Sequence, residues 1–164
     1  MNPYASHLGS RDPLPVITGT PERLAALVRT LGPDGSEVSL ASGKWSVRDI
    51  LCHLADTEVA FAFRLRQSLA EAHHVIQPFD QDRWAENYAS QDAETALRVF
   101  TAVREWNVRL IRAIPADVLS KRLTHPERGE MTFQVLVETM AGHDLNHLAR
   151  LEALAATRRG VFDS

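Results

Sequence analysis

A single cysteine, Cys52, leaves this chain of 164 residues without an intrachain disulfide and fits a reducing compartment. Nor does one sign of charge dominate: 18 Lys and Arg stand against 21 Asp and Glu, a formal net charge of −3. Without a broad cationic surface, no nucleic-acid partner is expected. No apolar run approaches the roughly 18 residues that a membrane-spanning helix needs. The opening MNPYASHLGSRDPLP has no basic stretch leading into an apolar one, so neither a membrane partner nor a secretory signal is expected. Strand signals are scarce too, with no alternating run bounded by hairpin turns. The expectation is one cytoplasmic, all-α domain spanning residues 1–164, long enough to bury a core unaided.

What is present is helical periodicity. Residues 1–19, rich in proline and glycine, read as a leader, and the bundle occupies about 20–156. Thr20-Pro21-Glu22 has the form of a helix start, with Leu24, Leu27, Val28 and Leu31 on its buried side and Gly32-Pro33 ending it. Ser46 and Asp49 suit a capping box for a second helix along Ile50, Leu51, Leu54, Phe61, Leu65 and Leu69, with Trp45 packed back as a staple. Residues 71–91 form a long connection with a helical turn near Asp82–Tyr88. Ser90 or Asp92 opens a third helix that Pro115 closes, and 115–131 is another connection, broken at Pro126 and Gly129. Thr132 caps a final helix whose polar tail frays after Leu154. These spans predict a four-helix bundle, and the connection between the second and third helices leaves room for a crossover.

The final helix carries the chemistry. In HDLNH at 143–147, His143 and His147 lie one turn apart on a helix of about 3.6 residues per turn, on the face traced by Phe133, Leu136, Val137, Met140, Leu148, Leu151 and Leu154. Buried imidazoles need partners. A metal ion is one answer, hydrogen bonding within a core or cleft a second, and a metal-free catalytic histidine a third. A metal would need a further ligand from another helix, and His53 is the candidate; three histidines leave coordination positions open. Asp56, one turn beyond His53, suits a catalytic carboxylate or one that orients an imidazole, against a surface acid paired with arginine. Glu58, on the apolar side, suits a buried partner for Arg or His, and Asp144 a structural or solvated acid. Asn146 lies just off the histidine face. Trp84, Asp80 and Tyr88 suit a pocket lid or a loop anchor, Trp45 and Trp106 packing, and His73, His74 and His125 surface or loop positions. Cys52 points about 100° away from His53 and is a poor ligand.

KWSVRD at 44–49, HLAD at 53–56, PFD at 78–80 followed by Trp84, and HDLNH at 143–147 together resemble the DinB-like superfamily, above all its YfiT-like metal-dependent hydrolases. The resemblance runs from about Thr20 to Leu154. It implies a DinB-like four-helix bundle with up-down-down-up topology, and His53, His143 and His147 as ligands of a divalent ion, zinc or nickel ahead of iron or manganese. The activity it implies is hydrolysis of a small-molecule substrate by metal-bound water. Alternatives are an S-transferase or isomerase dependent on a low-molecular-weight thiol, and a non-enzymatic metal-stabilised stress or binding protein. Bundles of this size with one apolar outer face also pair as homodimers.

Overall fold

The computed structural model describes residues 2–39 and 41–162, the side chains of residues 33 and 157–162 excepted. Four long helices make the bundle: α2 (Pro13–Leu31), α3 (Val47–Ala70), α5 (Ala93–Ala113) and α6 (Phe133–Phe162). Two short ones, α1 (Ala5–Leu8) and α4 (Gln81–Ala85), flank them. Among the described residues, no helix is long and apolar enough to cross a membrane.

The direction of each helix follows from which ends share a core. Leu24 and Leu31 late in α2 pack with Val47, Ile50 and Leu51 early in α3, Ala96 and Phe100 early in α5, and Leu148, Leu151 and Leu154 in the later part of α6. Ile17, Phe61, Leu65, Val108, Ile111, Leu136 and Met140 fill the other end. Thus α2 and α6 run one way while α3 and α5 run the other, which is the up-down-down-up order that the resemblance implies. The neighbours α3–α5 and α2–α6 are parallel, so long connections are obligatory.

Local chemistry places the helix ends. Asp12 accepts from the Leu14 amide at 3.0 Å and Pro13 occupies the first turn, so α2 begins seven residues before the expected start at Thr20. Pro21 therefore lies inside the helix. It is tolerated because Arg104 Nη1 donates at 3.1 Å to the Ile17 carbonyl, the acceptor that a helical amide at position 21 would have used. Ser46 and Asp49 form the reciprocal capping box at α3, with bonds of 3.2 and 3.0 Å. Asp92 caps α5 through the Thr95 amide, and Thr132 Oγ1 accepts from the Val135 amide at the start of α6. The last helix continues to Phe162, past the fraying expected after Leu154.

Strands are the main departure from the sequence reading. β1 (His74–Val75) pairs in parallel with β2 (Arg122–His125), which pairs antiparallel with β3 (Gly129–Thr132). The hairpin turns on Pro126-Glu127-Arg128, closed by Arg128 N–H to the His125 carbonyl at 3.1 Å, and Gly129 adopts φ 75°, a left-handed conformation that suits glycine. Ile76, Leu123 and Met131 join the lower core, so the sheet pins both long connections to the end of the bundle. His74 and His125 are buried there, not on the surface as expected. Trp106 is the reverse case. It is 64% exposed and stacks against Arg66 at 5.9 Å, outside the core.

Between the two core clusters lies a layer of buried polar groups. Arg104 grips Asp144 with both Nη atoms, the Nη2–Oδ1 bond being 3.0 Å, and reaches Glu58 Oε2 at 2.7 Å. Asn107 donates to Glu58 Oε1 at 2.7 Å and Thr20 to Asp144 Oδ2 at 2.8 Å. Burial opposes the charge on Arg104, but Asp144 and Glu58 outweigh it and hold its pKa above the ordinary value. All four bundle helices are tied at one level, which fixes how α3 and α6 face each other.

Candidate metal centre

Two turns into α3 the buried face presents His53, and midway along α6 it presents His143 and His147. Because α3 and α6 are antiparallel, residues 90 apart in sequence meet: His53 Nε2 and His143 Nε2 are 3.0 Å apart. Ring centroids lie 5.1 Å (His53–His143), 4.8 Å (His53–His147) and 4.5 Å (His143–His147) apart. One ring nitrogen from each residue falls within 4.8 Å of the others, a convergence that could hold a metal ion. All three are 3–4% exposed.

The surroundings favour neutral rings. Burial, then Arg150, lowers the pKa of His53 to about 4. Burial, then His53 and Arg150, lowers His147 to about 3. His143 is held well below the ordinary value by burial and by the other two rings. A neutral imidazole keeps a lone pair for a cation. His53 Nδ1 and His147 Nδ1 are also buried without a protein hydrogen-bond partner, a costly arrangement unless some other group meets these rings. The donor set therefore fits a borderline-soft divalent ion.

Aromatic rings wall the cluster. Trp45, seated on the upper core, faces His53 at 4.8 Å. Tyr4 meets His143 edge-on at 5.2 Å. The segment carrying Tyr4 is seated on α6 at Gly142, where an added Cβ would fall 2.5 Å from the Tyr4 carbonyl oxygen; only glycine permits that approach. On either side of Tyr4 a cavity reaches the histidines. One, of about 590 Å³, touches His53 and His147 and is bounded by Trp45, Asn146 and Arg150. The other, of about 320 Å³, touches His53 and His143 and is bounded by Arg64, Phe79 and His125.

Asp56 is not brought to the histidines. Its Oδ2 accepts from the Tyr88 hydroxyl at 2.9 Å, and it lines a separate cavity of about 410 Å³ with Cys52, Trp84 and Tyr88. Burial raises its pKa, opposed by the bond from Tyr88. Cys52 shares that side, its thiol pushed up to about 11 by burial and then by Asp49 and Asp56. Asn146 lines the larger cavity beside His147. Glu58 and Asp144 both belong to the Arg104 network, so Asp144 is structural and not solvated. Asp80 caps α4, and Trp84 stacks on Phe79 at 4.5 Å. Sequence reasoning missed Tyr4, Gly142, Arg64 and Arg104. The last had a signal: with Phe100, Asn107, Val108 and Ile111 it keeps helical spacing on the buried face.

The fold and the cluster together define a class: an up-down-down-up four-helix bundle with three histidines gathered between two antiparallel helices. The sequence pattern of the DinB superfamily matches residues 17–151, and the chain belongs to that superfamily. A protein of Oceanobacillus iheyensis named "Putative metal-dependent hydrolase" is 30% identical over 139 residues, covering 84% of this chain and 81% of that one. A Bacillus cereus protein of the same name is 25% identical, covering 84% and 80%. The solved structure of YfiT from Bacillus subtilis, described as a probable metal-dependent hydrolase with an unusual four-helix bundle topology, superposes with a TM-score of 0.82 at 22% identity, covering 90% of this chain and 86% of that one.

Proposed function

We propose that this protein is a metal-dependent hydrolase whose divalent ion, zinc or nickel, is held by His53, His143 and His147. The observation that carries the reading is the convergence of three buried, neutral imidazoles from two helices, with ring nitrogens within 4.8 Å. When bound, such an ion supplies a Lewis acid that acidifies water and polarises a carbonyl. The chain's own residues do the rest. Tyr4, Trp45 and Phe61 exclude bulk solvent from the rings, and Thr57 places its Oγ1 3.5 Å from His53 Nε2. Asn146, beside His147 in the larger cavity, offers an amide donor and acceptor to a bound small molecule. The Arg104 network keeps α3 and α6 at the spacing that the three rings require.

Elemental analysis of tag-free protein tests the reading. One divalent ion per chain is expected in the wild type, and its loss together with any ester- or amide-hydrolysing activity in His147→Ala. Full metal content in that variant would remove His147 from the ligand set.

A further inference from the structure

We propose that the cavity on the His143 side of the cluster is an anion-binding subsite, in which Arg64 and His125 hold a carboxylate or phosphate group of the substrate. This deepens the hydrolase reading and rests on it for the word substrate, but the geometry stands by itself. The Arg64 guanidinium lies against two phenyl rings, 5.8 Å from the centroid of Phe61 and 5.5 Å from that of Phe79. Stacking fixes its plane. Nη2 donates to the Gln77 carbonyl at 3.2 Å, and among the described residues Arg64 makes no ion pair, which leaves N–H donors for a ligand.

His125 supplies a second donor. Its ring is 4% exposed, and Nδ1 accepts the Glu127 amide N–H at 3.2 Å. A neutral imidazole that accepts at Nδ1 carries its proton on Nε2, so the ring presents an N–H from that side. The charge around it is positive on balance. After burial, Arg128 and Arg64 lower the pKa of His125, and they outweigh Glu127, the acid that also lines this cavity. Arg64 is itself drawn down to about 10 by burial and then by Arg128. A guanidinium in a partly desolvated recess is stabilised by an anion seated against it.

Position makes the recess useful to the histidines. The Phe61 ring that carries Arg64 on one side is 6.4 Å from the His143 ring, and the same cavity reaches His53. An acid group seated at Arg64 therefore leaves the remainder of a small molecule lying toward the three imidazoles. From there it can extend past Tyr4 into the cavity beside Trp45. The substrate class is an organic acid or phosphate ester with its reacting group a few bonds from the charge.

Isothermal titration of the zinc-loaded full-length chain with succinate, phenyl phosphate and neutral succinamide tests the subsite. Wild type should bind at least one of the two anions and not succinamide. Arg64→Met and His125→Phe should each weaken the bound anion at least tenfold, while Arg64→Lys, which restores a charge, should lose less than Arg64→Met. Zinc content should stay at the wild-type value in all three. Binding of succinate alone assigns a carboxylate, and of phenyl phosphate alone a phosphoryl group. Equal affinity in wild type and Arg64→Met, or binding of neither anion, overturns the proposal. A chain that takes up no zinc overturns the metal reading instead, and the same titration of that chain still reports on Arg64.

Discussion

Arg104 donates at 3.1 Å to the carbonyl of Ile17, the acceptor stranded by a proline four residues later. The same guanidinium pairs with both Glu58 and Asp144. One side chain thus repairs a helix break in α2 and ties α3 to α6. Arg104→Met leaves two buried carboxylates without their cation and the Ile17 carbonyl without its side-chain donor, and the expected loss is about 3–5 kcal/mol, read from urea unfolding. A loss below about 1 kcal/mol would show that the network contributes little.

Gly142 and Gly19 give opposite expectations for the same substitution. At Gly142 a methyl would fall 2.5 Å from the Tyr4 carbonyl and 2.7 Å from its Cβ, so Gly142→Ala should lift the N-terminal segment off α6. Stability should fall by about 1–3 kcal/mol, and limited proteolysis should cut within residues 2–11 sooner than in wild type. Gly19, inside α2, has nothing within 4 Å of an added Cβ, so Gly19→Ala should stabilise by about 0.5–1 kcal/mol. An unchanged cleavage rate in Gly142→Ala would mean that the segment is not held at this notch.

Acid should weaken the metal-free protein through the histidines. Folded pKa values of about 4 for His53 and about 3 for His147 lie below the ordinary 6.5, so between those values the unfolded chain binds more protons than the folded one. The stability that neutral rings provide is intact above 6.5 and is lost as pH falls through that window. Each such ring contributes a slope of at most about 1.4 kcal/mol per pH unit. Melting temperatures of metal-free protein should decline from pH 7 to pH 4.5, and less steeply in His53→Gln. Equal slopes in the two proteins would rule His53 out as a source.

Asp56 touches Tyr88 and not the imidazoles. Asp56→Asn should therefore leave metal content unchanged and cost roughly 1 kcal/mol for the weakened hydrogen bond. A fall in bound metal, measured by elemental analysis, would return Asp56 to the centre.

Much of the architecture was legible in the sequence because it rests on local signals. The capping box at Ser46 and Asp49, the cap at Asp92 and the i,i+4 pair His143 and His147 are contained in a few consecutive residues. His53, beside the core stripe of the second helix, was already the candidate third ligand, and the resemblance carried by HLAD and HDLNH strengthened it and supplied the helix order. What stayed hidden depends on partners far away in the chain. Pro21 reads as a helix start unless Arg104 is known to serve Ile17. The strands are only two and four residues long, too short for periodicity to register, although Pro126 and Gly129 mark their turn. Tyr4 sits in a stretch with no helical stripe, and its role follows from Gly142, on a different element.

The parallel pairing of α2 with α6 carries a consequence for assembly. Its two members lie at opposite ends of the chain, so their contact closes a loop containing nearly all the other elements, at an entropic cost that local helix formation does not recover. During synthesis α2, α3 and α5 emerge with their α6 faces bare, and the histidine cluster first exists when the last helix docks. Any ion that His53, His143 and His147 hold would then act as a latch on this final step, slowing unfolding more than it speeds folding.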